Sequence, residues 1–120
     1  MKTHTLVIGA SENPQRYSNM AIRRLRSNKI PVHALGLKKG KVEDVEIQTG
    51  HPDFSDIDTV TLYVGPQHQQ EILEYVRSLK PRRVIFNPGT ESSYFEDRLR
   101  NDGVEVLEAC TLVMLGTHQY

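Results

Sequence analysis

The chain has 120 residues, fifteen basic side chains matched by fifteen acidic ones, a formal net charge of zero and one cysteine. That length accommodates a single domain, taken as residues 1–120, and leaves no room for a second catalytic domain. Balanced charge supplies no field for nucleic acid or an anionic membrane surface, and a lone cysteine excludes an internal disulfide or a multi-cysteine zinc site, as suits the reducing cytoplasm.

The segment Met1-Lys2-Thr3-His4 runs almost directly into an apolar stretch, Thr5-Leu6-Val7-Ile8, which is far too short for a signal or membrane-spanning segment. This first strand breaks at Gly9-Ala10-Ser11 and passes through a polar loop to Ser18-Asn19. Ser18 is expected to cap a helix with Ala21, Ile22 and Leu25 on one face, ended by Asn28. A buried strand that stops at glycine and re-enters a helix aims amide groups and a positive helix end at one point, where a phosphate fits. The loop adds Arg16, whose fork of donors suits the same anion.

Ile30 to Gly36 reads as a second strand, with Pro31 near its start, and leads into the basic loop Leu37-Lys38-Lys39-Gly40-Lys41. Val42, Val45 and Ile47 form either a short edge strand or a loop pinned to the core. Thr59 to Val64 is a β-branched third strand stopped by Gly65-Pro66, and Pro66 suits the first turn of a helix carrying Ile72, Leu73, Val76 and Leu79 on one side. Val84-Ile85-Phe86 is the fourth firm strand and ends at Asn87-Pro88-Gly89. Thr90 is expected to cap the helix that follows, which bears Phe95 and Leu99 and closes at Gly103. Val104 to Leu107 is the fifth strand, and Thr111 to Leu115 a last short helix.

Strands alternating with helices of this length require parallel pairing and right-handed crossovers. The expected fold is α/β: a Rossmann-like, doubly wound parallel sheet of five strands in order 3-2-1-4-5, with its ligand crevice at the carboxyl ends of the strands.

The first turn is not a dinucleotide fingerprint, since from Gly9 the chain reads Gly-Ala-Ser-Glu-Asn-Pro with one of three glycines in place. A Gly-Lys-Ser or Gly-Lys-Thr loop is absent too. Where an NAD site usually places a carboxylate, after the second strand, this chain has Lys38 and Lys39. Two ammonium groups favour a ribose bearing its own phosphate, which fits both NADP and coenzyme A. The five histidines show no i, i+4 pair and no nearby cysteine, so spacing supports no metal site. No hydrolase elbow or Ser/His/Asp set is present, and no residue is assigned a catalytic role. Cys110 precedes the last helix; facing the crevice, its thiolate would form a mixed disulfide with a ligand thiol, whereas buried it is inert.

These pieces together resemble the small bacterial coenzyme A-binding proteins, the stand-alone relatives of the coenzyme A-binding domain of succinyl-CoA synthetase. The resemblance is carried by Val7-Ile8-Gly9-Ala10-Ser11, Lys38-Lys39, Tyr63-Val64-Gly65-Pro66, Asn87-Pro88-Gly89-Thr90-Glu91 and Glu108-Ala109-Cys110, in the family's order over nearly the whole chain. It implies phosphate contacts at Gly9, Ala10 and Ser11 with Ser18, a lysine at 38 or 39 on the adenosine end, and Val64-Gly65-Pro66 bordering the adenine. The remaining expected binding positions are Arg16, Asn19, Asn87, Pro88 and Gly89. The synthetase's phosphohistidine comes from a later domain that this chain lacks, so its ligase chemistry does not transfer. The resulting expectation is a module that binds coenzyme A or an acyl-CoA without catalysis. The alternatives are a small enzyme or redox sensor using NADP or another phosphorylated nucleotide, and an interaction protein with a vestigial crevice; a homodimer or an unknown protein partner is left open.

Overall fold

A computed structural model describes residues 2–120. The elements in chain order are β1 (His4–Ile8), α1 (Tyr17–Ser27), β2 (Val32–Leu35), β3 (Gly40–Val42), β4 (Val45–Gln48), β5 (Ile57–Leu62), a 3₁₀ turn at Pro66–His68, α2 (Gln70–Ser78), β6 (Arg83–Phe86), α3 (Ser93–Asn101), β7 (Glu105–Glu108) and α4 (Thr111–Gly116). They form one sheet in the order β3-β4-β2-β1-β5-β6-β7, parallel throughout except for the antiparallel β3–β4 pair.

The doubly wound α/β architecture is the expected one, but the sheet has seven strands rather than five. The segment between 42 and 52 supplies the difference: β3 and β4 fold into a hairpin that pairs with β2 through Ala34↔Ile47 and Leu35↔Gln48. The strand counted third from the sequence is β5, and it lies against β1 on the side away from β2; β4 holds the place outside β2.

Alternation along the strands sends side chains to two cores. On one face Leu6, Ile8, Val60 and Phe86 meet Leu73 and Val76 of α2 and Phe95 and Leu99 of α3. On the other, Val7, Ala34 and Ile47 meet Ile22 and Leu25 of α1 and Leu115 of α4. Helices therefore cover both faces, which is why β1, β5 and β6 read as continuous apolar or β-branched runs.

Two expected caps are displaced. Ser18 lies inside α1 and is buried; the N-cap is Arg16, with extended backbone and no side-chain bond to the helix. The loop before it makes its own turns, as Ser11 Oγ accepts the Asn13 amide, Asn13 Oδ1 the Gln15 amide and Asn13 O the Arg16 amide. Likewise Thr90 is buried and donates its hydroxyl to Asn87 O, while Ser92 caps α3 by accepting the Phe95 amide at 3.4 Å. The Glu96 carboxylate, one position beyond that of a capping box, reaches back to accept the Ser92 amide at 3.1 Å. Ser92→Ala is expected to cost about 1 kcal/mol in urea unfolding, and Thr90→Ser, which keeps the hydroxyl, clearly less. No measurable cost for Ser92→Ala would remove Ser92 as the cap.

Candidate functional site

The glycine turn after β1 is set by two constraints on Gly9. Its φ is +98°, and a Cβ there would stand 2.9 Å from the Tyr63 carbonyl oxygen. Only glycine allows the chain to turn left-handed so close to the end of β5. The β1–β5 ladder continues past its last paired residues, because the Tyr63 amide donates to Ile8 O at 2.8 Å.

The expectation that the amides of Gly9 and Ala10 face a phosphate is corrected. Both donate to Leu35 O, at 2.9 and 2.8 Å, and so prolong the β1–β2 pairing. Among the donors left at this corner are the amides of Ser11, Glu12, Tyr17 and Ser18, which take no acceptor among the described residues, the last two at the open N-terminus of α1. Asn19, also expected to touch the ligand, is a buried latch: its Nδ2 donates to Ser11 O at 2.9 Å, and its Oδ1 accepts from Arg23 Nε at 2.8 Å. Arg23 reaches on to Pro14 O, so α1 holds the loop in place. Arg16 is exposed at the mouth of the helix.

The basic loop is joined to this turn at two points. Gly36 packs so tightly that a Cβ would come within 2.4 Å of Ala10 O. Beyond it, the Glu12 carboxylate folds over Gly40 and accepts the Lys41 amide at 2.9 Å. A carboxylate beside the phosphate corner would repel an anion; here it is committed to the start of β3 and links the two loops. Lys38 and Lys39 lie exposed between those tethers, next to Leu37, which is almost fully exposed.

Across the switch point between β1 and β5, Val64 and Gly65 are half-buried and Pro66 begins the 3₁₀ turn. Gln69 binds this turn to the next: its Nε2 donates to Val64 O at 2.8 Å and Thr90 O at 2.6 Å. Asn87 is not open to a ligand. It is buried and ties β5, β6 and α4 together, donating from Nδ2 to Thr61 Oγ1 and Leu62 O and accepting the Thr111 amide on Oδ1. Thr61 and Thr111 share a further hydroxyl bond of 2.8 Å. Beside them the half-buried Tyr63 phenol is pushed up to about 12 by burial, so it stays neutral. Pro88 and Gly89 are exposed, and the Gly89 amide is taken by Glu91 Oε1. Cys110 is half-buried at the N-cap of α4.

Of the expected positions, the structure thus unites Gly9, Ala10, Ser11, Ser18, Arg16, Lys38, Lys39, Val64, Gly65 and Pro66 along one rim, with Asn19 and Asn87 behind it as supports. Gly36, Gln69 and Thr111 are parts of the same scaffold that sequence reasoning missed. Only Gly36 carried a signal, as a glycine closing a strand. Also missed was a cluster at the opposite, amino end of the strands, where His4, His33 and Asp56 approach one another.

The family described as CoA binding domain matches residues 3–116. A crystal structure of an uncharacterized protein is similar, at 42% identity and a TM-score of 0.95, over 100% of this chain and 99% of that one. A Thermus thermophilus structure matches at 21% identity over 99% of this chain and 91% of that chain, with a TM-score of 0.85. A conserved hypothetical protein from Pyrococcus furiosus does so at 24% identity over 89% and 92%, with a TM-score of 0.74. No curated protein matches the chain.

Proposed function

Because this chain belongs to the CoA-binding domain family, we propose that it holds coenzyme A or an acyl-CoA at the carboxyl ends of β1 and β5, as a binding module without catalysis of its own. The observation that carries this reading is the double tether between glycine turn and basic loop, through Gly36 against Ala10 O and Glu12 on the Lys41 amide. It keeps, in this reading, the donors of Ser11, Tyr17 and Ser18 and the ammonium groups of Lys38 and Lys39 within reach of one ligand. In this reading the diphosphate lies at the N-terminus of α1, where helix amides and dipole favour negative charge. Lys38 and Lys39 neutralise the 3′-phosphate, the adenine rests along Val64-Gly65-Pro66, and the pantetheine arm runs outward. Asn87 and Gln69 keep the two turns in register from behind.

Calorimetry with coenzyme A, dephospho-coenzyme A, NADP and NAD tests the reading. Removing the 3′-phosphate is expected to weaken binding by about 1–2 kcal/mol, the worth of a charge-assisted contact on an exposed rim. Lys38→Ala together with Lys39→Ala should erase that difference and leave dephospho-coenzyme A unaffected. A preference for NADP over coenzyme A would replace the ligand in this reading, and equal binding of coenzyme A by double variant and parent would remove the lysines from it.

A further inference from the structure

The amino ends of the strands bring together donors that are distant in the chain. His4 opens β1, His33 pairs with Leu6 from β2, and Asp56 immediately precedes β5. His4 and Leu6 are two residues apart on one strand and His33 neighbours Leu6 on the next, so both imidazoles leave the same face of the sheet. The main chain fixes the third member, since Asp56 O accepts the Thr3 and His4 amides at 3.1 and 2.9 Å. Directly beside it the β1–β5 register skips a residue between His4 and Thr5, an irregularity of the kind that re-aims side chains.

Asp56 Oδ2 lies 3.3 Å from His4 Nδ1 and 3.2 Å from His33 Nε2. One donor atom from each of the three residues falls within 4.8 Å of the other two. Zinc bonds to imidazole nitrogen and carboxylate oxygen, about 2.0–2.1 Å long, place neighbouring donors about 3.3–3.4 Å apart at the tetrahedral angle and about 2.9 Å apart at a right angle. Two edges of the triangle therefore already match a tetrahedral ion. The other carboxylate oxygen, Asp56 Oδ1, is buried and has no hydrogen-bond partner among the described residues. Oδ2 is thus the atom shared by the two imidazoles, and Oδ1 is a second carboxylate oxygen whose bonding capacity the protein leaves unused.

We propose that His4, His33 and Asp56 form a binding site for a divalent first-row transition cation, Zn²⁺ foremost. Two imidazoles and one carboxylate are a donor set suited to zinc and poorly suited to calcium or magnesium, which take oxygen ligands. The ring of His33 is already clamped, stacked between His4 at 4.6 Å and Phe54 at 4.1 Å. The His4 and His33 planes differ by 15°, so taking up the ion requires His4 to swing about χ2, a soft torsion, until both lone pairs converge. Without metal, the ring nitrogens of His4 and His33 hydrogen-bond Asp56 Oδ2 directly, and the ion would replace those contacts. The three side chains are 25% to 34% exposed, which leaves the fourth coordination position to water. This site lies at the far end of the strands from the coenzyme A rim and does not depend on it.

The test uses untagged protein titrated with Co²⁺, whose intense visible bands report a tetrahedral N/O site, followed by displacement with Zn²⁺ and calorimetry with Zn²⁺ alone. One Co²⁺ per chain should bind with intense bands that Zn²⁺ abolishes. Asp56→Asn and His33→Ala should each lower Zn²⁺ affinity on the order of a hundredfold, at least the loss known for mere supporting partners of a metal ligand. The more exposed His4→Gln should do the same while keeping the parent far-UV spectrum, so a folding defect at His33 cannot mimic the result. Coenzyme A affinity should stay at the parent value in His4→Gln. Absence of saturable uptake, weak octahedral bands only, or Zn²⁺ affinity unchanged by His4→Gln and Asp56→Asn would each overturn the proposal and leave two stacked histidines that share the Asp56 carboxylate.

Discussion

Gly36→Ala is expected to abolish coenzyme A binding and to lower the unfolding free energy by about 2–4 kcal/mol. The sign is not obvious, because the φ of Gly36 lies outside the left-handed region. At such a position alanine stabilises by about 0.4–1 kcal/mol through the unfolded chain. Here the new methyl would meet Ala10 O at 2.4 Å and Ile47 Cγ2 at 3.0 Å. The carbonyl belongs to the turn that already gives two amides to Leu35 O, so it can retreat only by breaking those bonds. The steric term wins, and the movement separates the turn from the lysine loop. Gly50→Ala is the control: its φ is +77° with open space around it, so it should cost about 1 kcal/mol and leave binding intact. Urea unfolding and calorimetry on both variants measure this; a Gly36→Ala protein that binds like the parent would show that the tether is dispensable.

Asn87→Ala is expected to cost about 3–5 kcal/mol. The amide side chain satisfies Leu62 O, Thr61 Oγ1 and the Thr111 amide, all in the interior. Thr61 keeps its bond to Thr111 Oγ1 after truncation, whereas the Leu62 carbonyl and Thr111 amide are left bare at about 1–3 kcal/mol each, with a cavity added. Asn87→Asp separates the contributions, since it retains an acceptor for the Thr111 amide but loses the donor and buries a charge. Denaturant unfolding reads both; a cost below about 1 kcal/mol for Asn87→Ala would mean that water replaces the amide.

The strands and helices with strong periodicity were legible because burial on both faces leaves little choice of residue. The hairpin of β3 and β4 was not. Its turn is Glu43-Asp44, with Glu43 at φ 54°, rather than the Asn-Gly or Asp-Gly pair that announces a two-residue hairpin. Missing it also put β5 on the wrong side of β2, because the outer place in the order then had no other occupant. Both caps failed for one reason: the loops contain several hydroxyl and amide side chains, and local sequence does not say which of them bonds the helix and which bonds its own turn. The phosphate corner was legible at Gly9, yet its amides are used by β2, a partner 26 residues further on (35 − 9). The histidine cluster had no local signature at all, since residues 4, 33 and 56 meet only through strand order.

The two margins of the sheet are both protected against pairing with another strand. At one side the last strand, β3, is only three residues long and folded back on β4; at the other, β7 carries the exposed carboxylates of Glu105 and Glu108. A short strand and a charged one are both poor templates for main-chain pairing with a neighbour. Main-chain pairing between copies, the route by which a flat open edge seeds aggregation, is therefore disfavoured at both ends of the sheet.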